Sequence, residues 1–472
     1  MKKEQELFKN TVIITFGRIC TQLVSFFLLP LYTTILSTEE YGIVDLVITY
    51  SSLFLPFVTL ALEQALFRFL IDVRANKEKC AKYISTVFFF SLISTSLITI
   101  VLYVIYYFAN NSLLLYFCLV LVGSIISAIT LQISRGLGDN LGYTLGSTIS
   151  AIVNIVCNVI FLVNFKFGAA GMMLASFVGN SICGIVLYFK CNLKNYIHVH
   201  NVEKNIFIEL IKYSIPLIPN QLSWWALNAS DKVIVQLFIG IAGNGLIAVA
   251  NKFSNMYIQF SNIFNISWTE SVTLHIHDYD ANQFISKTIN MVYRLFLCAC
   301  CEILVLMPFV FPIMIHSKYE QAYNLIPIFM LASLFNILVS LYGVIYVAYK
   351  KTFEIAKTAL YAARLNIISH LLLIHFIGIY ASAISTAFGY GTMAVYRYFH
   401  SRKYLTIKLN HFNKLLSIVM LTLSIFSYYS RNYAFQMVTL ILISLICVIG
   451  NKNFLQTMYA TIKLKILRNK RI

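Results

Sequence analysis

Long apolar segments follow one another through this chain, and the polar joints between them alternate between basic and nearly uncharged. Each segment is ~20 residues or longer, the length an α-helix needs to cross a bilayer core. The chain has 36 Lys and Arg. Only Lys166, Lys318 and Arg431 fall in the even joints, whereas roughly 27 basic residues fall in the odd joints and the two tails. Basic residues gather in this way on the cytoplasmic side of a membrane protein. Six more, Arg18, Arg68, Lys232, Lys252, Arg294 and Arg364, lie within the apolar segments. The pattern defines an all-α polytopic membrane protein. With 59% apolar and 11% charged residues, the chain is far from the make-up of a soluble domain. Its net charge of +18 sits in short loops, which suits anionic lipid head groups and excludes a nucleic-acid-binding domain.

The segments predict about 14 transmembrane helices, over roughly 11–36, 42–71, 81–108, 112–134, 143–165, 168–190, 209–238, 245–275, 285–315, 321–349, 352–377, 379–400, 411–429 and 433–450. The first is too long for a signal-peptide core and has no cleavage site after it, so it is expected to stay as a helix. An even number of spans puts both termini in the cytoplasm. The basic tails agree, with Lys2, Lys3 and Lys9 at one end and Lys463, Lys465, Arg468, Lys470 and Arg471 at the other. The longest break, residues 191–208, divides the chain into a six-helix bundle over 1–190 and a second over 209–402. A further helix pair and tail occupy 403–472.

Two segment pairs indicate that the bundles are repeats. Leu36–Ser51 lies over Ile239–Ser254, with Gly42 on Gly245. The run from Asn154 lies over the run from Asn366, with Asn158 on His370 and Gly168 on Gly378. A six-span repeat keeps its orientation, so the bundles are expected to be related by a pseudo-two-fold axis along the membrane normal.

A charge at mid-membrane costs about 2.5–3.5 kcal/mol on insertion scales. The basic residues within spans therefore call for a polar interior or for partners. Arg18, Lys252, Arg294 and Arg364 are the candidates for a cationic, substrate-binding cavity. Asp45, Glu63, Asp231 and Glu302 are candidates for coupling to an ion, although each can equally neutralise a neighbouring cation. The cysteines lie mostly inside apolar runs and read as packing residues. His198, His200, His275 and His277 read as loop histidines, and no metal site is expected. The glycine-rich Arg135–Gly142 lacks the Lys-Ser/Thr of a phosphate loop and reads as a tight turn. No catalytic set is recognisable. A membrane glycan polymerase, an enzyme, would be expected to carry a sizeable outer loop, and none is present in the sequence.

The segment Pro30–Phe69 (PLYTTILSTEEYGIVDLVITYSSLFLPFVTLALEQALFRF) resembles the opening of bacterial polysaccharide repeat-unit flippases, which export O-antigen or capsule units. RGLGDNLGY at Arg135–Tyr143, Asn228–Trp268 and Asn366–Thr386 resemble later parts of the same family. This family belongs to a larger group of exporters that includes multidrug extruders and the peptidoglycan-precursor flippase. The resemblance implies two six-helix bundles around a central cavity, and a bacterial cytoplasmic-membrane location. It implies an undecaprenyl-pyrophosphate-linked oligosaccharide as substrate, with no cofactor beyond a possible Na+ or H+ gradient. Polysaccharide polymerase and chain-length proteins are the partners it suggests. His370 departs from the aliphatic-rich position of the repeat. A peptidoglycan-precursor flippase or a multidrug/cation antiporter of the same fold stays open as an alternative, the latter disfavoured by the cationic balance within the spans.

Overall fold

Hydrocarbon offers no partner to backbone N–H and C=O groups, so the apolar segments fold as helices that satisfy their own backbone. The computed structural model describes residues 26–452 apart from 409 and 431, together with residue 456. Every regular element among the described residues is helical, and nine helices are long and apolar enough to cross a membrane. In chain order the α-helices are α1 (Leu29–Ile35), α2 (Thr38–Val58), α3 (Leu62–Val73), α4 (Lys77–Ala109), α5 (Leu113–Leu137), α6 (Asn140–Val159), α7 (Gly168–Lys190), α8 (Lys204–Ser214) and α9 (Leu217–Phe238). They continue as α10 (Ile241–His275), α11 (Ala281–Met314), α12 (Glu320–Ala348), α13 (Thr352–Ile377), α14 (Tyr380–Ser401), α15 (His411–Tyr429) and α16 (Tyr433–Gly450). Arg18, Arg431 and the basic C-terminal tail lie outside the described residues.

Two segments read as single spans are broken. Pro56 in α2 has no N–H to donate to the preceding turn. The helix stops at Val58, and Leu60 and Ala61 take positive φ of 51° and 53°. Left-handed backbone costs a non-glycine residue about 1–2 kcal/mol. The turn is held by the Ala61 amide donating to the Pro56 carbonyl at 3.1 Å. The second break separates α8 from α9, where Pro216 caps α9. The segment expected to be a loop, residues 191–208, is folded onto α4. Ser85 Oγ donates to the Tyr196 carbonyl at 2.7 Å and accepts from the His198 amide at 3.0 Å. Lys82 pairs with Glu203 at 2.8 Å. Between α5 and α6 the glycine-rich stretch is a tight turn: Gly138 takes φ +91°, and Asp139 caps α6 by accepting from the Gly142 amide at 2.7 Å.

The chain forms two compact units, Met1–Val249 and Ala250–Ile472, with the division inside α10. The folded linker thus belongs to the first unit. Each unit contains one closely packed antiparallel pair that the sequence match had aligned. In the first, Gly179 of α7 sits against the Ser150 carbonyl and Asn154 of α6, and a Cβ at Gly179 would come within 2.8 and 3.1 Å of them. In the second, Gly389 of α14 meets Ala362 and Asn366 of α13 in the same way, at 3.3 Å to each. The pairs are joined through Gly168 and Gly378, both at φ +57°. The repeat seen in the sequence is therefore a repeat of packing.

In the second unit the terminal pair, α15 and α16, packs on α11. Tyr293 and Ser417 share a hydrogen bond at 2.9 Å. Tyr323 of α12 and Tyr428 of α15 each donate to the other's carbonyl, at 2.9 and 2.5 Å, with their rings stacked at 4.1 Å.

The close approach in both pairs predicts that Gly179→Leu and Gly389→Leu each destabilise the protein by about 1–3 kcal/mol through overpacking. The measurement is the thermal midpoint of detergent-solubilised protein by size-exclusion fluorescence. A midpoint equal to wild type in both variants would show that the helices have room to separate at no cost.

Candidate functional site

In the first unit a ladder of polar contacts joins α2 to α9. Asp45 and Thr49, one turn apart on α2, face Lys232 of α9. Lys232 Nζ lies 2.8 Å from Asp45 Oδ2 and donates to Thr49 Oγ1 at 3.2 Å. Trp225 Nε1 donates to the Thr49 carbonyl at 3.1 Å, and Tyr50 Oη donates to Gln236 Oε1 at 2.7 Å. The Lys232 and Asp45 side chains are only 19% and 22% exposed. In such surroundings a pair is held mainly by each charge's need for the other, because an unpaired buried charge is costly. Asp45, a coupling candidate, is thus a partner of Lys232, one of the six basic residues within the apolar segments. Asp231 is buried beside it on α9.

Glu63 lies just past the break in α2–α3, in the first turn of α3 and 4% exposed. It accepts from Thr59 Oγ1 at 2.8 Å. No basic side chain of the described residues forms an ion pair with it. The free amides of the α3 N-terminus favour negative charge there. At the other end of α2, Gly42 meets the start of α10: a Cβ at Gly42 would overlap the Ile241 carbonyl, and one at Gly245 would overlap the Thr38 carbonyl. The two glycines aligned by the repeat are in direct backbone contact.

In the second unit the face of α14 carries an open groove of about 1030 Å³. Phe335, Phe388, Tyr396 and Phe399 give it an aromatic floor, with His400 and Lys403 at one end. An adjoining groove of about 390 Å³ shares Thr392 and Tyr396 and is bordered by Tyr361 and Arg364. Arg364 is exposed. The arrangement presents two cations, Arg364 and Lys403, beside a run of aromatic rings, a surface matched to an amphipathic anion.

The other predicted residues are placed elsewhere. Arg294 of α11 donates through Nε to Asn451 Oδ1 at 3.3 Å, in the seam with the end of α16. The structure does not bring it together with Arg364. Lys252 is half-buried on α10, and Glu302 is half-buried on α11. Near Glu302, Cys298 and Cys301 pack with Leu334, Met420 and Ile443, and the described cysteines are free thiols. In the linker, burial pushes the Cys191 thiol and the Tyr196 hydroxyl up, so neither is a ready nucleophile. No metal-binding group of side chains occurs among the described residues.

Arg397 was not among the basic residues counted within the spans, although it falls inside the predicted span 379–400. It is 3% exposed, and neutral oxygens surround it. Its guanidinium donates to Thr358 Oγ1 at 2.8 Å, the Val339 carbonyl at 2.9 Å and the Ile355 carbonyl at 3.3 Å. Gly343 leaves room for it, since a Cβ there would lie 2.6 Å from Nη1. It thereby ties together α12, α13 and α14. The signal was available: Ser385, Gly389, Met393 and Arg397 recur every four residues on one buried helix face. In the first unit the corresponding place is held by Leu187 against Gly146.

The fold is that of transporters of the MOP superfamily. A multidrug resistance MATE family transporter in an inward-facing conformation superposes with a TM-score of 0.68, at 13% identity, over 81% of this chain and 94% of that one. The lipid II flippase MurJ, in an inward closed conformation, gives 0.66 at 16% identity over 95% of this chain and 100% of that one. A MOP superfamily transporter from Pyrococcus furiosus gives 0.59 at 16% identity, over 84% and 95%. No curated protein matches the chain in sequence. Residues 7–269 match the model of the polysaccharide biosynthesis protein family, and the chain belongs to that family.

The ladder predicts that Lys232→Met and Asp45→Leu each destabilise the protein by about 3–5 kcal/mol, because each strands the opposite charge. The exchange Asp45→Lys with Lys232→Asp should recover a large part of the loss. Thermal midpoints of the four proteins test this, and an exchange no better than the single changes would remove the pair as a structural tie.

Proposed function

We propose that this protein is a flippase that moves undecaprenyl-pyrophosphate-linked oligosaccharide repeat units across the bacterial cytoplasmic membrane by alternating access. The observation that carries this is the aromatic groove of the second unit flanked by Arg364 and Lys403. The cargo has a polar head bearing a pyrophosphate and a long apolar tail. A guanidinium binds phosphate oxygens through its fork, aromatic faces suit sugar rings, and the tail can remain in lipid. Membership of the polysaccharide biosynthesis family supports the same cargo class. The fold shared with MurJ supports the handling of a lipid-linked substrate. A cation exporter would need an acidic groove, so the multidrug reading is the weaker one. Both termini would be cytoplasmic, no step would be catalysed, and an ion gradient would supply the drive. Polymerase and chain-length proteins would take over the delivered units.

Cells lacking the protein should accumulate lipid-linked repeat units on the inner leaflet and lose surface polysaccharide. Arg364→Glu should insert normally yet reduce surface polysaccharide at least tenfold, and Arg364→Lys should retain part of it. Normal polysaccharide from a well-expressed Arg364→Glu variant would remove this residue from cargo binding. For orientation, single cysteines at Asn111 and Lys318 should react with an impermeant maleimide added outside intact spheroplasts, and one at Asn76 should not. Reaction at Asn76 would reverse the topology.

A further inference from the structure

His370 is fully buried in α13, and neither ring nitrogen has a hydrogen-bond partner among the described residues. One turn earlier on the same helix, Asn366 is also buried, and its Oδ1 too has no partner. The first unit treats the matching positions differently. There Asn158 Nδ2 donates to Asn154 Oδ1 at 2.7 Å and to the Asn154 carbonyl at 2.8 Å. The amide nitrogen is thus paired at this level, and only Asn158 Oδ1 is left without a partner among the described residues. A leucine in place of His370 would also avoid the cost of about 1–3 kcal/mol for each buried polar atom left unpaired.

The antiparallel register that sets Asn366 against Gly389 brings His370 level with Ser385, with Ser382 about one turn further along α14. Both serines are fully buried. The ionisable groups nearest along the packed helices are Arg364 and His375 on α13, Tyr380 and Tyr390 on α14, and Tyr323 and Tyr342 on α12. None is a hydrogen-bond partner of the imidazole. No charged group among the described residues is a hydrogen-bond partner of the ring, and the register places the Asn366 and serine oxygens at its level.

We propose that His370, supported by Asn366, is a proton-binding site in the second unit through which transport is coupled to a proton gradient. This rests on the flippase reading and names the ion that reading leaves open. The step is a simple one. A hydronium ion gives its proton to the neutral ring nitrogen, water leaves, and the imidazolium donates to the Asn366 side-chain oxygen and a serine hydroxyl. A hard metal cation would instead want a full shell of oxygens, which a histidine at the centre does not provide.

The test uses the full chain in lipid nanodiscs with 15N-labelled imidazoles. His370→Asn should fold, since it recreates the Asn–Asn pairing of the first unit, and its missing signal identifies His370. His370→Gln serves as a second assignment. The wild-type signal is expected to shift between pH 4 and 8 and to ignore added sodium at fixed pH. A signal constant over that range overturns the proposal, as does one that follows sodium and not pH. In cells, His370→Asn should reach normal membrane levels and lose at least tenfold of surface polysaccharide. Wild-type export from that variant also overturns the proposal. Failure of the flippase reading would look different, as normal polysaccharide in cells lacking the protein altogether.

Discussion

Hydrocarbon gives nothing back to a polar group, and the interior of this protein is arranged around that fact. Helices close their own backbone, and the polar side chains within them must find partners inside the protein. Asp45 and Lys232 answer with opposite charges. Tyr323 and Tyr428 answer with reciprocal bonds to each other's carbonyl. Arg397 answers by collecting carbonyls and a hydroxyl from two other helices. In each case the partner lies on another helix, so satisfying the polar group also fixes how the helices pack.

The two units use the same packing and fill it with different chemistry. Gly179 and Gly389 bring their helices to the same close approach on an asparagine. Around that shared frame, Leu187 against Gly146 in the first unit stands where Arg397 against Thr358 stands in the second. Asn158, bonded to Asn154, stands where His370 has no partner. The first unit keeps these positions neutral, while the second places a permanent cation and an ionisable ring in them. The cationic groove also lies in the second unit.

Much of this was legible in the sequence because membrane segments carry strong signals. Apolar length marked most helices, and the matched glycines marked real contacts. Breaks were harder to read. Pro56 announces a possible kink, but the stop at Leu60 and Ala61 depends on a turn that tertiary packing holds. The linker looked polar, yet Ser85 and Thr86 on α4 hold its backbone, and nothing local signals such a distant anchor. Among the candidate site residues, depth along a helix could be estimated but direction could not. Arg294 and Arg364 looked alike, yet one faces α16 and the other a groove. Arg397 falls three residues from the end of the predicted span 379–400, where a cation can reach the head groups, and only the buried face it shares with Ser385, Gly389 and Met393 marks it as interior.

The contact between Gly42 and Gly245 has an entropic meaning. It is made of backbone: the two glycines meet each other and the Ile241 and Thr38 carbonyls. Ordering a long side chain at an interface costs up to about 2 kcal/mol in lost rotamers, and glycine has none to lose. A junction of this kind has no rotamer search to complete as it forms and none to undo as it parts. Parting such a contact would release no side-chain rotamers and remaking it would trap none, so whatever holds the ends of α2 and α10 together is not opposed by side-chain entropy.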